Sequence, residues 1–221
     1  NIYKGKRGFI IGNGPSLKVE DLDLLKNEIS IASNKIYLIY PKTNWRPIFI
    51  TIDDRLLWNE INKEIYQYPD IVVAHNRIPL NVQKSIIFKR NSFFKNDDKG
   101  NGFSTNILNE GLWGGRTITY VNIQIAVHLG LNPIYLIGCD HYYNEEKPSN
   151  TTVVKHKKEQ NHFIKNYRKE GQKVNYAPIE KMTQSYKNAR QVCEKSNISI
   201  YNATRGGYLE VFDRVNLSDL F

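Results

Sequence analysis

The sequence of 221 residues has little cysteine and no long apolar run. Two cysteines, Cys139 and Cys193, do not make a disulfide framework, which favours a reducing compartment. No stretch approaches the length of a membrane span, and the N-terminus lacks the charged and apolar segments of a signal peptide. We therefore expect a cytoplasmic chain that can rest on the inner face of a membrane. Because it begins at Asn1 without a Met, we also expect residues upstream.

Metal and nucleophile motifs are missing as well. The five histidines lie far apart and show no paired spacing such as His-x-x-x-His, which argues against a zinc site. No Ser or Cys has a base paired with it in the pattern of an activated nucleophile. The sequence thus predicts no metal site and no covalent intermediate.

Acidic residues are outnumbered, with 22 Asp and Glu against 31 Lys and Arg and a net charge of +9. Zinc-finger spacing, an RNA-recognition signature and a continuous basic helix stripe are all absent, so we expect no nucleic-acid partner. The charge suits anionic substrates such as nucleotide sugars, or contact with an anionic membrane. A coding bias toward Asn, Lys and Ile would produce the same excess.

What the sequence does contain is a series of short apolar runs that end in polar or glycine-rich turns. This pattern predicts one α/β domain over residues 1–221, Rossmann-like, with a mostly parallel sheet and helices on both faces. Two polar stretches, 91–115 and 144–161, are predicted to form a lid-like insertion. The expected strands are 9–11, 29–33, 47–52, 70–74, 85–88, 133–138 and 198–201, and the expected helices are 17–27, 55–66, 117–129 and 179–195.

The most informative stretch joins an apolar run, Phe9 to Ile11, to a turn made of Gly12, Asn13, Gly14 and Ser16. A strand, a glycine turn and a helix N-terminus present backbone N–H groups and a helix dipole to a phosphate. The spacing matches neither the dinucleotide fingerprint nor the P-loop. A tight turn without a ligand would need the same glycines.

Polar residues also follow the other predicted strands, where the carboxyl ends of parallel strands collect ligands. Each has a simpler structural interpretation, because Asn, Thr and Asp cap helices and Gly forms turns. Asp54 is the clearest cap, placed before the helix 55–66. The candidates for nucleotide binding at these ends are Asn34, Asp53, Thr117, Thr119, Gly138, Asp140 and Asn202.

Four motifs carry a family resemblance. The first, residues 12–17 (GNGPSL), resembles the opening motif of the Rossmann-like bacterial sialyltransferases and of the hydroxymethylpterin-pyrophosphokinase-like (MptE-like) domain family. The second group includes motility-associated-factor glycosyltransferases thought to modify flagellin. Residues 114–120 (GGRTITY), 134–142 (IYLIGCDHY) and 202–207 (NATRGG) resemble that group too. Together the motifs span nearly the whole chain, although the shared scaffold hosts different transfers.

The resemblance also suggests catalytic roles. In the sialyltransferases a Tyr hydroxyl meets the departing phosphate, and Tyr142 lies at that place, preceded here by His141 instead of an aromatic residue. An acceptor hydroxyl needs a base with a pKa near neutrality, which points to His162. The family has two histidines there with the later one catalytic; His162 matches the earlier, and Lys165 falls at the later. Arg205, with its planar fork of donors, is predicted to join Tyr142 on the phosphate.

These residues lead to three hypotheses. The first is a glycosyltransferase that moves a CMP-activated acidic sugar, such as a sialic or related nonulosonic acid, to a cell-surface glycan or flagellin without a cofactor. The second is a pyrophosphokinase that moves diphosphate from ATP to a pterin alcohol, with Mg²⁺ held by Asp53 or Asp140. The third is a nucleotide-binding module without turnover. The family resemblance further implies a homo-oligomer.

Overall fold

The computed structural model describes residues 2–68, 70–76, 78–80, 84–89, 102–144, 148, 153–156 and 161–221. Its strands are β1 Gly8–Ile11, β2 Ile29–Ser33, β3 Phe49–Ile52, β4 Val72–His75, β5 Ser85–Phe88, β6 Ile134–Ile137, β7 Val153–Lys155, β8 Lys173–Asn175, β9 Ile200–Asn202 and β10 Asp213–Arg214. Its α-helices are α1 Val19–Leu24, α2 Arg55–Ile65, α3 Ile107–Glu110, α4 Ile118–Leu129 and α5 Ile179–Lys195, and 3-10 helices cover Ile36–Lys42 and Leu217–Leu220.

Eight strands form one sheet in the order β10-β9-β6-β1-β2-β3-β4-β5. Every neighbouring pair in it is parallel, so all eight carboxyl ends lie along one edge. From β1 the chain moves outward to β5, and from β6 it moves outward the other way to β10. The order therefore reverses between β1 and β6. β7 and β8 pair separately as an antiparallel ribbon.

The sheet is covered on both faces, so nearly every residue of its four central strands is buried. All four residues of β1 are buried, and alternate side chains point to opposite faces. Phe9 and Ile11 pack with α1, α2 and the first 3-10 helix, whereas Ile10 packs with α3, α4 and α5. A strand with helices above and below it reads as a continuous apolar run. The predicted Rossmann-like α/β fold is confirmed.

The predictions for the start of α2, the end of α4 and the packing of the C-terminal tail were also confirmed. Asp54 caps α2 by accepting hydrogen bonds from the N–H groups of Leu56 (2.8 Å) and Leu57 (3.3 Å). Gly130 ends α4 in the left-handed region, with φ +85°. The tail packs back on the domain through buried Phe212 and Leu217, as expected. The ribbon of β7 and β8 was not expected, because its strands are three residues long and carry no clear apolar pattern.

About half of the two predicted lid segments lies outside the described residues. Residues 102–115 are described, and α4 holds them firmly. The side chain of Gln124 accepts from the N–H groups of Ser104 and Trp113 at 3.1 Å each and donates to the carbonyl of Trp113 at 2.8 Å. Residues 91–101 and part of 144–161 lie outside the described residues, and the lid stays a prediction. Among the described helices, none is both long and apolar enough to cross a bilayer.

Candidate functional site

The candidate site lies where the strand order reverses, at the carboxyl ends of β1 and β6. Backbone pairing continues beyond the strands there: Gly12 N donates to the carbonyl of Ile137 at 2.7 Å, and Gly14 N donates to that of Gly138 at 2.9 Å. In open parallel sheets the crevice outside this reversal is the usual ligand position. The glycine turn after β1 thus forms one wall of the crevice, and the exit from β6 forms the other.

The two glycines after β1 are required by the neighbouring strand. A Cβ on Gly12 would lie 2.2 Å from the carbonyl oxygen of Gly138, and one on Gly14 would lie 1.8 Å from Oδ2 of Asp140. Neither glycine has a positive φ, whereas Gly138 does, at +65°. From the sequence, these two glycines were expected to let the backbone turn and come close to a ligand. The structure adds a different reason, which is the close approach of the two turns.

Asp140 ties the two turns together. Its Oδ2 accepts from Ser16 Oγ at 2.8 Å and from Ser16 N at 3.4 Å. The residue is only 8% exposed, and burial raises the pKa of its carboxyl. Two of the predicted binding residues are therefore in contact with each other, and Asp140 fixes the position of the turn.

Two amide oxygens in the crevice have no partner among the described residues. Asn13 donates through Nδ2 to the carbonyl of Ser33 at 3.1 Å and to Ser33 Oγ at 3.3 Å, which leaves its buried Oδ1 unpaired. Oδ1 of Asn34 is also buried and unpaired, and this residue holds a left-handed backbone with φ +57°. A buried acceptor without a donor costs about 1–3 kcal/mol. Both side chains are suited to a ligand that brings N–H or O–H groups.

The segment that carries His162 crosses the same edge. Phe163 N donates to the carbonyl of Asn13 at 3.0 Å, which places its neighbour His162 beside the glycine turn. The imidazole stacks on the ring of Tyr167, with centroids 3.8 Å apart and planes 5° from parallel. Sequence analysis had no geometric basis for this placement, and the structure brings the predicted base to the predicted nucleotide site. Lys165 is exposed.

Tyr167 is fixed from both ends by Lys35, the residue after Asn34. Lys35 N donates to the Tyr167 hydroxyl at 3.2 Å, and Lys35 Nζ donates to the Tyr167 carbonyl at 2.8 Å. The same ammonium pairs with Glu60 on α2. The platform under His162 is therefore attached to the end of β2. Neither Lys35 nor Tyr167 was identified from the sequence, because their contact spans 132 residues.

The N-terminus of α4 also reaches this edge, because a helix that links parallel strands runs back across the sheet. Thr117 is its N-cap and accepts from Thr119 N at 3.4 Å. Thr119 Oγ1 lies 4.0 Å from Cys139 Sγ, just beyond β6. Burial raises the pKa of Cys139 to about 12, so its thiol stays protonated and is no nucleophile at neutral pH.

After Cys139 and Asp140 the chain presents two rings. Nε2 of His141 lies 2.8 Å from Thr183 Oγ1, and burial lowers the pKa of this imidazole. Tyr142 is 43% exposed and contacts the ring of Tyr208, with 5.8 Å between centroids. The side chain of Tyr142 is thus accessible to a ligand at the exit from β6. Tyr208 was missed from the sequence, although it directly follows the glycine pair of the last motif.

Three predicted residues have other partners. Arg205 forms a two-pronged ion pair with Asp21, at 2.8 and 3.1 Å, and also donates to the Ser16 carbonyl. The side chain of Asn202 accepts a hydrogen bond from Thr204 N and donates one to the Leu209 carbonyl. Asp53 Oδ1 lies 3.5 Å from His75 Nε2 after β3, two strands or roughly 10 Å from β1.

The described residues contain no group of three or more His, Cys, Asp or Glu side chains arranged for a metal. Asp53 and Asp140 follow β3 and β6, which are three strand spacings apart, or roughly 14 Å. They are too distant to bind one ion together. Either could still supply the single carboxylate with which Mg²⁺ joins the phosphates of a substrate.

Known proteins resemble this chain in sequence and in fold. The family model described as 6-hydroxymethylpterin diphosphokinase MptE-like matches residues 1–146. The solved MAf glycosyltransferase from Magnetospirillum magneticum superposes on all of this chain with a TM-score of 0.64 and 12% identity. This chain covers 35% of that protein, about a third of its length.

A second solved structure has a similar fold. The sialyltransferase CstII from Campylobacter jejuni, in complex with the substrate analogue CMP-3FNeuAc, matches 95% of this chain and 86% of its own, with a TM-score of 0.53 and 15% identity. No curated protein sequence matched. At these identities the structural likeness shows a shared fold.

Proposed function

The chain belongs to the 6-hydroxymethylpterin diphosphokinase MptE-like family, and we propose that within it this protein is a glycosyltransferase using a nucleotide-activated sugar. The observation that carries the proposal is the pair of unpartnered amide oxygens on Asn13 and Asn34 beside a glycine turn. The ribose hydroxyls and the amino group of a cytosine would supply the missing donors. The complex of CstII, whose fold is similar, with the substrate analogue CMP-3FNeuAc supports a CMP-activated donor.

In the proposed reaction an acceptor hydroxyl attacks the anomeric carbon of the sugar as His162 removes its proton. The bond between that carbon and the phosphate oxygen breaks, and CMP leaves with the bonding electrons. The Tyr142 hydroxyl donates to the departing phosphate, and N–H groups of the glycine turn neutralise it further. The stacking on Tyr167 holds the His162 ring in one plane for this step.

Arg205 has an indirect part in this scheme. The sequence suggested that it binds the phosphate, but its guanidinium is engaged by Asp21 and the Ser16 carbonyl. We assign it to holding the turn at Ser16, and leave the phosphate to Tyr142 and the backbone. The proposed donor is a CMP-activated acidic sugar, and the proposed acceptor is a cell-surface glycan or flagellin. Contact with an anionic membrane and self-association remain parts of the proposal.

A second candidate follows from the family description. A diphosphokinase would move diphosphate from ATP to the alcohol of a pterin, with Mg²⁺ bridging the phosphates. Asp140 would then have to serve the ion while holding Ser16, or Asp53 would serve it while beside His75. The ion would neutralise the phosphate charge, and the chain would bind and orient the alcohol. A base at His162 would serve the pterin alcohol as well, so the position of this residue does not separate the two candidates.

Thermal-shift titration with CMP, CDP, UDP, ATP and GTP, each with and without Mg²⁺, separates the candidates. A metal-independent rise in melting temperature with CMP supports the glycosyltransferase. A response that requires both ATP and Mg²⁺ supports the diphosphokinase. Binding of CMP without release of sugar from CMP-sialic acid or related CMP-nonulosonates, alone or with saccharides, supports a module without turnover.

The role of His162 is tested in the same system. His162→Ala should lower transfer or donor hydrolysis by about 10²- to 10⁴-fold, because a general base is lost, while the Kd for CMP changes little. Lys165→Ala tests the rival position, where the sialyltransferases carry their catalytic histidine, and should keep its activity. Normal turnover in His162→Ala would show that the base is elsewhere.

A further inference from the structure

Two large rings are exposed side by side at the exit from β6. Tyr142 is 43% exposed and Tyr208 is 69% exposed, and their planes are tilted by 36°. Tyrosine offers a broad apolar face with a polar tip, so exposed pairs of this kind suit contact surfaces. The transfer scheme uses only the hydroxyl of Tyr142. It leaves the ring of Tyr208 without a role.

A hydrogen bond and two glycines with positive φ fix the backbone before and at Tyr208. Tyr208 N donates to the carbonyl of Asp140 at 2.8 Å. Gly207, with φ +73°, allows this approach, because a Cβ there would lie 2.8 Å from the same carbonyl oxygen. Gly206 also has a positive φ, +67°. The backbone of Tyr208 is therefore held beside Asp140 by a turn that favours glycine at two successive positions.

Arg214 holds the same turn from the other side. Its guanidinium donates to the carbonyls of Gly206 at 2.7 Å, Gly207 at 3.1 Å and Thr204 at 3.2 Å. Three carbonyls bound by one planar group leave the turn few alternative conformations. Because its backbone is already fixed, Tyr208 loses little backbone entropy when a ligand stacks on its ring.

The position in the sheet indicates which part of the reaction the ring serves. The unpaired oxygens of Asn13 and Asn34 lie at the ends of β1 and β2, and this is where the proposed nucleotide finds its acceptors. Tyr208 comes after β9, but its N–H bonds the carbonyl of Asp140, so its backbone lies at the exit from β6, two strand spacings or roughly 10 Å from β2. Tyr142, proposed to meet the phosphate, follows the same strand and packs against Tyr208. A second substrate that reaches the sugar from beyond the phosphate would therefore pass Tyr208.

We propose that Tyr208, packed against Tyr142, is the stacking face for the acceptor, and that the acceptor presents a pyranose ring. One face of a pyranose carries C–H groups and its rim carries hydroxyls, which matches an aromatic face with a hydroxyl at its tip. This inference rests on the proposed glycosyl transfer. It adds a binding residue and a chemical class for the acceptor.

Binding can be tested without turnover. The protein is labelled at tyrosine with ¹³C, and NMR spectra are recorded during titration with methyl β-galactoside, methyl β-glucoside and methyl N-acetyl-β-glucosaminide. The ring signals assigned to Tyr208 by their loss in Tyr208→Phe should shift with at least one glycoside. Tyr66, 40% exposed at the end of α2, is the internal control and should not shift. No shift at Tyr208 with any of them would overturn the proposal.

Kinetics supply the second test, with the best glycoside as acceptor and CMP-sialic acid as donor. Tyr208→Ala should raise the acceptor KM on the order of tenfold, equivalent to about 1.4 kcal/mol, while the Kd for CMP and the rate of donor hydrolysis stay unchanged. Tyr208→Phe keeps the stacking face and should restore most of the affinity. Tyr66→Ala controls for the loss of an exposed ring.

The outcomes separate this inference from the proposed function. Shifts at Tyr208 with a glycoside, in a protein that releases no sugar from any CMP donor, would support the stacking face and refute the transferase. Transfer that proceeds with unchanged acceptor KM in Tyr208→Ala would refute the stacking face alone. A loss of CMP affinity in Tyr208→Ala would show that the ring serves the nucleobase, and the inference would be wrong.

Discussion

Two turns of this protein look alike in sequence and differ in what their polar groups do. One follows β1 and contains Gly12, Asn13 and Gly14; the other follows β9 and runs from Asn202 to Gly207. Both sit at the carboxyl edge of the sheet, two strands apart. Asn13 has a buried amide oxygen without a partner, whereas Asn202 accepts from Thr204 N at 3.0 Å and donates to the Leu209 carbonyl at 2.7 Å.

The comparison shows how a polar glycine turn becomes a candidate binding site. In the β9 turn the hydrogen-bonding capacity of the Asn202 side chain is used to keep the turn in shape, so this amide has little to offer a ligand. In the β1 turn the Asn13 side chain supports Ser33 through its nitrogen and leaves its oxygen unpaired. We propose that the first turn binds the nucleotide and that the second holds Tyr208 and Arg205 in place.

The largest expected effect separates the glycines of the two turns. Gly14→Ala should lower the free energy of unfolding by more than about 3 kcal/mol, because the new Cβ would lie 1.8 Å from Asp140 Oδ2 and 2.7 Å from the Gly138 carbonyl oxygen. Gly206→Ala meets no atom within 4 Å and should cost about 1 kcal/mol, from its positive φ alone. Urea unfolding of both variants measures the difference. Equal losses would contradict the packing account.

The asparagines should show opposite behaviour. Asn202→Ala should cost about 2 kcal/mol of stability, because it leaves Thr204 N and the Leu209 carbonyl unpaired, and should leave the Kd for CMP within about twofold. Asn34→Gly keeps the left-handed backbone and should change stability by less than about 1 kcal/mol. It should weaken CMP binding on the order of tenfold. Urea unfolding and calorimetric titration on the same samples decide the matter, and a stable Asn34→Gly with unchanged affinity would refute the binding role.

Arg205 tests whether the β9 turn contacts the phosphate. Arg205→Ala leaves Asp21, whose side chain is 6% exposed, without its cation and should cost about 1–2 kcal/mol of stability. The value of kcat should fall less than about threefold, because the guanidinium supports Ser16 and does not touch substrate in the proposed scheme. The double variant Asp21→Asn with Arg205→Ala should recover part of the lost stability. A fall in kcat on the order of 100-fold would restore the sequence-based role of a phosphate clamp.

The smallest effect concerns Asp140, which touches both turns. Burial raises the pKa of its carboxyl above 3.8, so the folded protein holds this proton more tightly than the unfolded chain does. The resulting stabilisation is complete below the unfolded value and is lost as pH rises through the folded value. Asp140→Asn, which can still accept from Ser16, should therefore gain stability relative to wild type as pH rises from about 4 to 7. Parallel pH curves for the two proteins would contradict this, and the exposed Glu180→Gln is the control.

The sequence predicted the architecture well because the signals for it are local. Apolar runs such as Gly8–Ile11, closed by turn residues, identify buried parallel strands, and parallel strands bring their ends to one edge. Caps such as Asp54 act within three residues. These features do not depend on the rest of the chain.

The use of each polar group was harder to predict because it depends on distant partners. The Arg205 guanidinium meets Asp21 across 184 residues, and Lys35 meets Tyr167 across 132. From sequence alone Asn13 and Asn202 are equivalent, since each stands in a glycine-rich turn after a strand. Only the positions of Ser33, Thr204 and Leu209 in the fold tell a free amide oxygen from an occupied one.

The most direct test is a crystal structure of this protein with CMP bound. We expect the phosphate over the turn from Gly12 to Ser16, with donors of the nucleotide within hydrogen-bond distance of the side-chain oxygens of Asn13 and Asn34. His162 and Tyr142 should face the phosphate from opposite sides. Density for CMP beside Arg205 and Arg214, with both asparagine oxygens still unpaired, would contradict the account.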